Sequence, residues 1–396
     1  MRILYITPSP PNSMSRIRTQ NIIKAMQQLG HQVTLVSFVY NDGDIANLKN
    51  CRSYIEQIKW VKQPKWKSMF NCLVGLLLPI PLRVSYCNSR KMKDTIEKCL
   101  IEKEYDLVYI KRLRMAQYAY LGKQKQITTI IDITDSLTKY YERISKKETG
   151  LKRLLAIEEY YKHRMYEPKI CKQNYPIVIC SEDDKNYLIE LDPKLSNNIF
   201  VMNNSIETST WLCDNIVTSA EGNRTRLVFF GMMDYAPNII AAKYLITQVL
   251  PILQNQYTLE IIGANCTEEL LHYECERVHF TGYVEDMRDA LRNNDIFICP
   301  ILAGSGVKNK ILQASLAGLP IVSTTLGIEG IHKDILKYVL VADEANAIAD
   351  CILKVNQLPE WELMDKIHGQ QEVIIRENDN VKTMKTCFEE LGLCDE

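Results

Sequence analysis

The residues best equipped for chemistry lie together in the run GSGVKNKILQASLAGLPIVST, residues 304–324. Gly304 and Gly306 precede Lys308 and Lys310, and apolar residues then recur at helical spacing, so a helix is expected to open at about Lys308. A helix start preceded by glycines suits an anion. Its amides point outward, its dipole favours negative charge, and glycine lets a phosphate come close. Lysine is electrostatically misplaced in a first helical turn. Two lysines there make sense if a diphosphate supplies the missing negative charge; a solvated helix start with incidental lysines is the plainer alternative. The run is neither a Walker A loop nor G-x-G-x-x-G.

Strands must hold such a loop. In the second half, short β-branched and aromatic runs predict strands at 227–231, 259–263, 278–280, 296–300, 320–323 and 339–341. Helical patterns at 238–253, 285–293, 308–317 and 344–355 separate them. In open parallel sheets, ligands bind beyond the carboxyl ends of the strands. Gly231, Gly263, Gly282, Pro300 and Thr324 should therefore line one rim, together with the glycine-bracketed loop 327–330 that carries Glu329.

The first half opens strand–loop–helix–strand, at 2–7, 16–29 and 31–38, and further strands are expected at 107–110, 128–133, 177–180 and 199–202. Its corresponding rim holds residues 8–18, 111–114 and 132–135. Arg16, Arg18 and Arg112 are assigned there to acceptor or phosphate contacts. Asp132 and Asp135 are placed to orient an acceptor hydroxyl, with a helix N-cap as the alternative for Asp135. The D-G-D at residues 42–44 reads as a turn. Alternating strands and helices imply an α/β chain with two Rossmann-like domains facing a central cleft. The expected boundaries are 1–206, a polar linker at 207–224, a second domain at 225–379, and a terminal helix at 380–396 crossing back to the first domain.

Composition agrees with two soluble domains: 396 residues exceed one core, 46% are hydrophobic and 24% charged. Lys+Arg and Asp+Glu balance at 48 each, so no global field draws nucleic acid, and any polyanion or membrane contact must be local. The 13 cysteines never form C-x-x-C and sit mostly in apolar settings, which reads as buried thiols in a reducing cytoplasm. With six histidines and no ligand-spaced pair, no metal is expected. No signal peptide is read at the N-terminus, and no apolar run reaches the roughly 18–20 residues of a transmembrane helix.

Two stretches break the pattern. MFNCLVGLLLPIPL, residues 69–82, is apolar and interrupted by Pro79 and Pro81, with Lys62, Lys65 and Lys67 before it and Arg83, Arg90, Lys91 and Lys93 after it. It reads either as a buried element of the first domain or as an interfacial wedge at the inner face of a membrane. Residues 140–172, rich in Lys, Arg, Glu and Tyr, read as a solvated helix pair.

The second half resembles the donor domain of bacterial glycosyltransferase family 4, on the GT-B fold. FFGMMDYAPNIIAAKYLITQVLPIL, residues 229–253, is similar to the family's G-x-M-x-Y-x-P-N-x-x-A element, and FTGYVEDMRDALRNNDIFICPILAGSGVKNKILQASLAGLPIVSTTLGIEGI to its long signature. The first half resembles a branch active in surface-polysaccharide synthesis through TPSPPNSMSRIRTQNI, YDLVYIKRLRMAQYAY and IIDITDSLTKYY.

The resemblance implies a retaining, metal-independent transfer, without cofactor, from a nucleotide-diphosphate-sugar to a glycan or lipid-linked acceptor. It places the diphosphate against Gly304, Ser305, Gly306, Lys308 and Lys310, and the base near Tyr283 and Val284. Asp135, Ser305 and Lys308 are the catalytic candidates, and Gly231, Gln313 and Glu329 complete the donor set. The family's two glutamates, eight positions apart, are here Ser305 and Gln313. Gln313 can still bond a hydroxyl, without the charge-assisted part of roughly 1 kcal/mol. Two other readings stand beside the transferase: a catalytically silent homologue that partners another transferase, and a nucleotide-sugar 2-epimerase on a similar fold.

Overall fold

The computed structural model describes residues 1–11, 17–213, 225–304 and 306–393. The chain divides into two compact units, Met1–Ser205 with Asn380–Glu396, and Ile206–Asp379.

The first unit is built on β1 (Arg2–Thr7), β2 (Gln32–Val39), β3 (Gln57–Lys62), β4 (Leu107–Lys111), β5 (Thr128–Thr134), β6 (Ile177–Ile179) and β7 (Ile199–Val201). They form a seven-stranded sheet in the order β3-β2-β1-β4-β5-β6-β7, with every pair parallel. Strand side chains alternate between faces, and both faces are buried. Leu4 and Ile6 enter one apolar cluster, Ile3 and Tyr5 the other. That two-sided burial is why the central strands read as unbroken apolar runs.

The C-terminal helix Asn380–Glu390 packs on the helix Ile17–Gln28, burying Met384, Cys387 and Phe388 with Ile22, Ile23 and Met26. The charged stretch after β5 is a helical hairpin, Leu137–Lys147 and Gly150–Cys171. The D-G-D stretch is not a turn. Asn41 Oδ1 accepts from Asp44 N at 3.0 Å and Asp44 Oδ2 accepts from Tyr40 N at 2.9 Å, a reciprocal cap that starts the helix Asp42–Asn50.

The second unit carries β8 (Thr225–Phe230), β9 (Tyr257–Ile262), β10 (Val278–Gly282), β11 (Ile296–Cys299), β12 (Ile321–Ser323) and β13 (Leu340–Val341). Its six parallel strands are ordered β10-β9-β8-β11-β12-β13. The expected helix at 238–253 is broken: Ala236–Tyr244 is α-helical, and a π turn at Leu245–Val249 and a 3-10 turn at Leu250–Ile252 follow.

Residues 207–213, the described start of the stretch read as a linker, pack on this unit, as does Ile206, which the sequence reading gave to the first domain. Ile206 N bonds Asn378 O at 2.8 Å, and Cys213 N bonds Leu316 O at 2.9 Å. Both residues are buried, so these two apolar anchors dock an otherwise polar segment. The remainder, 214–224, lies outside the described residues. Every described cysteine is a free thiol. Among the described residues, no helix is long and apolar enough to cross a membrane.

Candidate functional site

In the second unit the strand order reverses between β8 and β11. At such a point the connections leave in opposite directions and open a crevice beyond the strand ends. The loop after β8 begins at Gly231, and the loop after β11 leads through Gly304 and Gly306 to the helix Asn309–Leu316. Gly231 has φ 154°, and a Cβ there would meet Asn238 Nδ2 at 2.5 Å and Lys310 Nζ at 3.2 Å. Gly304 (φ 113°) and Gly306 (φ 78°) take backbone conformations that side chains strain. The Cβ position of Gly304 lies 3.6 Å from Pro237 Cγ. Thus the glycine loop and the Y-x-P-N element, 75 residues apart at Tyr235 and Lys310, are folded against each other.

Lys310 joins the two loops. Its Nζ donates to Asn238 Oδ1 at 2.8 Å and lies 4.3 Å from the Phe229 ring centroid. Burial, with the charge of Lys308 and against the partial relief of Cys299, pulls the ammonium down to about 8. Lys308 stands at the N-cap position, one residue before the expected helical stretch becomes regular, and donates to Gly306 O at 2.6 Å. Its ammonium is 3.9 Å from Glu329 Oε2. The helix has no acidic residue in its first turn and no side-chain cap. Two ammoniums and the positive end of the helix therefore share one crevice, with the carboxylate of Glu329 beside Lys308.

Gln313 is half-buried, on the same helical face as Lys310 and one turn further on. Tyr283, 61% exposed, follows Gly282 (φ 76°) at the end of β10, and Val284 packs its side chain on the core. An exposed aromatic ring next to a strand end is a stacking surface. Ser305, assigned from the sequence to the same crevice, lies outside the described residues, as does Arg16 of the first unit.

The structure corrects two assignments in the first unit. Asp132 does not face outward. It is fully buried, with Oδ2 accepting from Lys111 Nζ at 2.6 Å and Tyr109 OH at 2.8 Å and Oδ1 accepting from Thr134 Oγ1 at 2.9 Å. Burial alone would raise its carboxyl, but Lys111, Arg18 and these hydrogen bonds outweigh it and hold the group well below the usual range. Arg18 is likewise internal. Its guanidinium donates to Met202 O, Asn203 O and Asn204 Oδ1 at 2.9, 2.9 and 2.7 Å, 3.7 Å from Asp132. It ties the first helix to the end of β7 rather than presenting a charge to a ligand.

The partly exposed pair on this rim is Arg112 and Asp135, 3.3 Å apart. Arg112 has φ 75° and its amide bonds Asp132 O at 2.6 Å, so buried Asp132 fixes the backbone that aims the exposed arginine. Asp135 is not a helix cap; Ser136 performs that role. The sequence reading placed Lys111 on the rim but not in a buried charge cluster, and it missed Tyr109; the signal was a lysine closing the apolar run LVYIK.

Among the described residues one group lies close enough to hold a cation, Asp135, Cys180 and Asp184. Its charges are already matched: Arg112 faces Asp135, and Lys139 meets Asp184 at 2.9 Å. Burial pushes the Cys180 thiol well above its ordinary range.

Residues 224–357 match the family model of glycosyl transferases group 1. No curated protein sequence matches the chain. Among solved structures, HepE of Anabaena in complex with UDP and glucose superposes with a TM-score of 0.70 at 14% identity over 100% of both chains. A glycosyltransferase from Rickettsia africae gives a TM-score of 0.67 at 13% identity over 98% of both. Sucrose-phosphate synthase from Thermosynechococcus elongatus gives 0.69 at 12% over 99% of both. At these identities the likeness establishes the fold: two parallel α/β sheets of the GT-B type.

Proposed function

Taking the chain as a group 1 glycosyl transferase on a GT-B fold, we propose that it binds a nucleotide-diphosphate-sugar on its second unit and transfers the sugar to a glycan or lipid-linked acceptor in surface-polysaccharide synthesis. The observation that carries this reading is the crevice between β8 and β11, where Lys308, Lys310 and an uncapped helix start converge behind two glycines. In the reaction the bond from the anomeric carbon to the phosphate oxygen breaks, and the nucleoside diphosphate leaves with the electron pair. The acceptor hydroxyl oxygen forms the new bond to the anomeric carbon, and its proton passes to an oxygen of the departing diphosphate. Preorganised positive groups at the diphosphate stabilise the charge that develops on it. Tyr283 would stack on the base, Gln313 would bond a ribose hydroxyl, and on the first unit Arg112 and Asp135 would contact the acceptor. A nucleotide complex of the Anabaena neighbour on the same fold supports the donor class.

Because protein groups supply the counter-charge, the transfer is proposed to need no metal; retention is proposed from the resemblance to the family alone. Activity should survive excess EDTA. Loss of turnover that magnesium or manganese restores would refute this. The decisive experiment offers a panel of nucleotide-sugars to purified protein and follows release of nucleoside diphosphate. Release from one donor supports the transferase. The absence of family glutamates at 305 and 313 favours one second reading, a silent homologue. That reading requires nucleotide binding with no release across the panel.

Lys310 gives the binding step a pH signature. Its ammonium is lost at about 8 in the free protein, and a diphosphate favours the charged form. Affinity for a nucleoside diphosphate should hold below that pH and fall above it, by at most about tenfold per unit for one proton. Calorimetry from neutral to alkaline pH checks the slope, and Lys310→Met should flatten it. A wild-type affinity unchanged across the range would refute the assignment.

A further inference from the structure

We propose that the first unit docks on anionic lipid membranes through the helix Lys65–Leu76 and the turn after it. This surface stands independently of the transferase reading.

The helix is amphipathic in the wrong sense for a soluble protein. Its buried positions are Ser68 and Gly75, while Trp66, Met69, Phe70, Leu73 and Leu77 are 73%, 63%, 60%, 64% and 89% exposed. Positions 66, 69, 70, 73 and 77 fall on one helical face and form one apolar stripe, which ordinarily faces a core. Here the stripe faces outward, and an exposed apolar surface of this continuity marks a contact site.

The stripe is held rigidly. Lys162 Nζ donates to Gly75 O at 2.9 Å and Leu82 N donates to Glu159 at 3.0 Å, seating the turn on the helix Gly150–Cys171. Leu151 and Leu155 lie on the same face of that helix as Lys162, at spacings of eleven and seven residues, and both are exposed. Glu167 fastens the hairpin further, accepting from Leu137 N at 2.7 Å and Thr138 N at 3.0 Å. The apolar surface thus has two fixed sources.

Charge selects the occupant. The whole chain has a formal net charge of +0, yet residues 57–93 contain no Asp or Glu and eight Lys or Arg. Two of the eight are paired, Lys59 with Glu102 and Lys93 with Glu97. Lys65 and Lys67 lie on the apolar helix itself, and Lys152 and Arg153 follow Leu151 at the hairpin tip, exposed. The apolar stripe of the helix Lys65–Leu76, within a stretch that has basic residues and no acidic one over 57–93, is complementary to a lipid surface with negative headgroups: side chains enter the acyl boundary, and lysines meet phosphates. A second copy of this chain would bring the same positive charge against itself.

The test is sedimentation of the full chain with phosphatidylcholine vesicles, with and without phosphatidylglycerol. At low ionic strength the protein should pellet with the anionic vesicles, and salt should release it. Trp66 emission should shift to the blue and be quenched by brominated lipid, a response that Trp66→Phe abolishes. Leu73→Ser with Leu77→Ser should lower partitioning by roughly tenfold or more with the melting temperature unchanged, as the residues are exposed. If that pair unfolds the protein, Lys65→Glu with Lys67→Glu serves instead and must also lower it. Wild-type protein that stays in the supernatant with anionic vesicles at low salt overturns the proposal. So does a wild-type dimer that ignores vesicles and is dissociated by the serine pair, which would make the face an interface between copies.

Discussion

Alanine at both Lys308 and Lys310 is expected to weaken nucleoside diphosphate binding by roughly 2–4 kcal/mol, about 30- to 1000-fold in Kd. The two lysines contribute unequally. Lys310 holds a desolvated ammonium against Asn238 Oδ1 and the Phe229 ring, where the effective dielectric is low and a phosphate oxygen interacts strongly. Lys308 has Glu329 at 3.9 Å, which offsets part of its charge, so Lys308→Ala alone should be the milder variant. Folding should survive. The losses are the hydrogen bonds of Lys310 to Asn238 and of Lys308 to Gly306 O, about 1 kcal/mol each, and removing a buried ammonium offsets part of them. Calorimetry with the free nucleotide, paired with a melting curve, reads the result. A folded double variant with wild-type affinity would remove the diphosphate from this crevice.

That crevice was legible because its signals are local. Glycines, a strand ending IFIC and lysines at a helix start state their own placement, and the helix opens within a residue of the expected position. Elements that depend on remote partners were hidden. The edge strand β3, QIKWVK, has one fully buried residue and no apolar run, and it is a strand only because β2 pairs with it. The helix Glu360–Asn378 is mostly polar outside and takes its place partly through Gly369, where a Cβ would lie 2.0 Å from the Tyr338 ring. Asn41 turned an apparent turn signal into a helix cap.

Asp132 shows the same limit at a site. At a strand end, a one-residue change in register decides whether a carboxylate faces solvent or core. The pairing of β5 with β6 shifts between Asp132 and Thr134, an irregularity that residue types do not announce. Lys111 and Arg18, which complete the buried charge cluster, arrive from 21 and 114 residues away.

Asp132→Ala therefore becomes a test of stability before it is a test of catalysis. The substitution strands Lys111, 1% exposed, and takes the counter-charge from Arg18, 6% exposed. Removing one partner of a buried ion pair costs about 3–5 kcal/mol, a large share of the roughly 5–15 kcal/mol that holds a domain together. Urea unfolding should show that loss, and Lys111→Met added to Asp132→Ala should recover most of it by removing the orphaned ammonium. The pH dependence fixes the sign independently. The folded carboxyl lies below its unfolded value of about 3.9, so its contribution is complete above that pH and is lost as pH falls through the lower folded value. Wild-type protein should therefore lose stability more steeply in acid than the double variant. If Asp132 instead contacted the acceptor, the single variant would fold with wild-type stability and lose acceptor affinity. A loss of less than about 1 kcal/mol with impaired acceptor binding would return Asp132 to the acceptor site and take it out of the core.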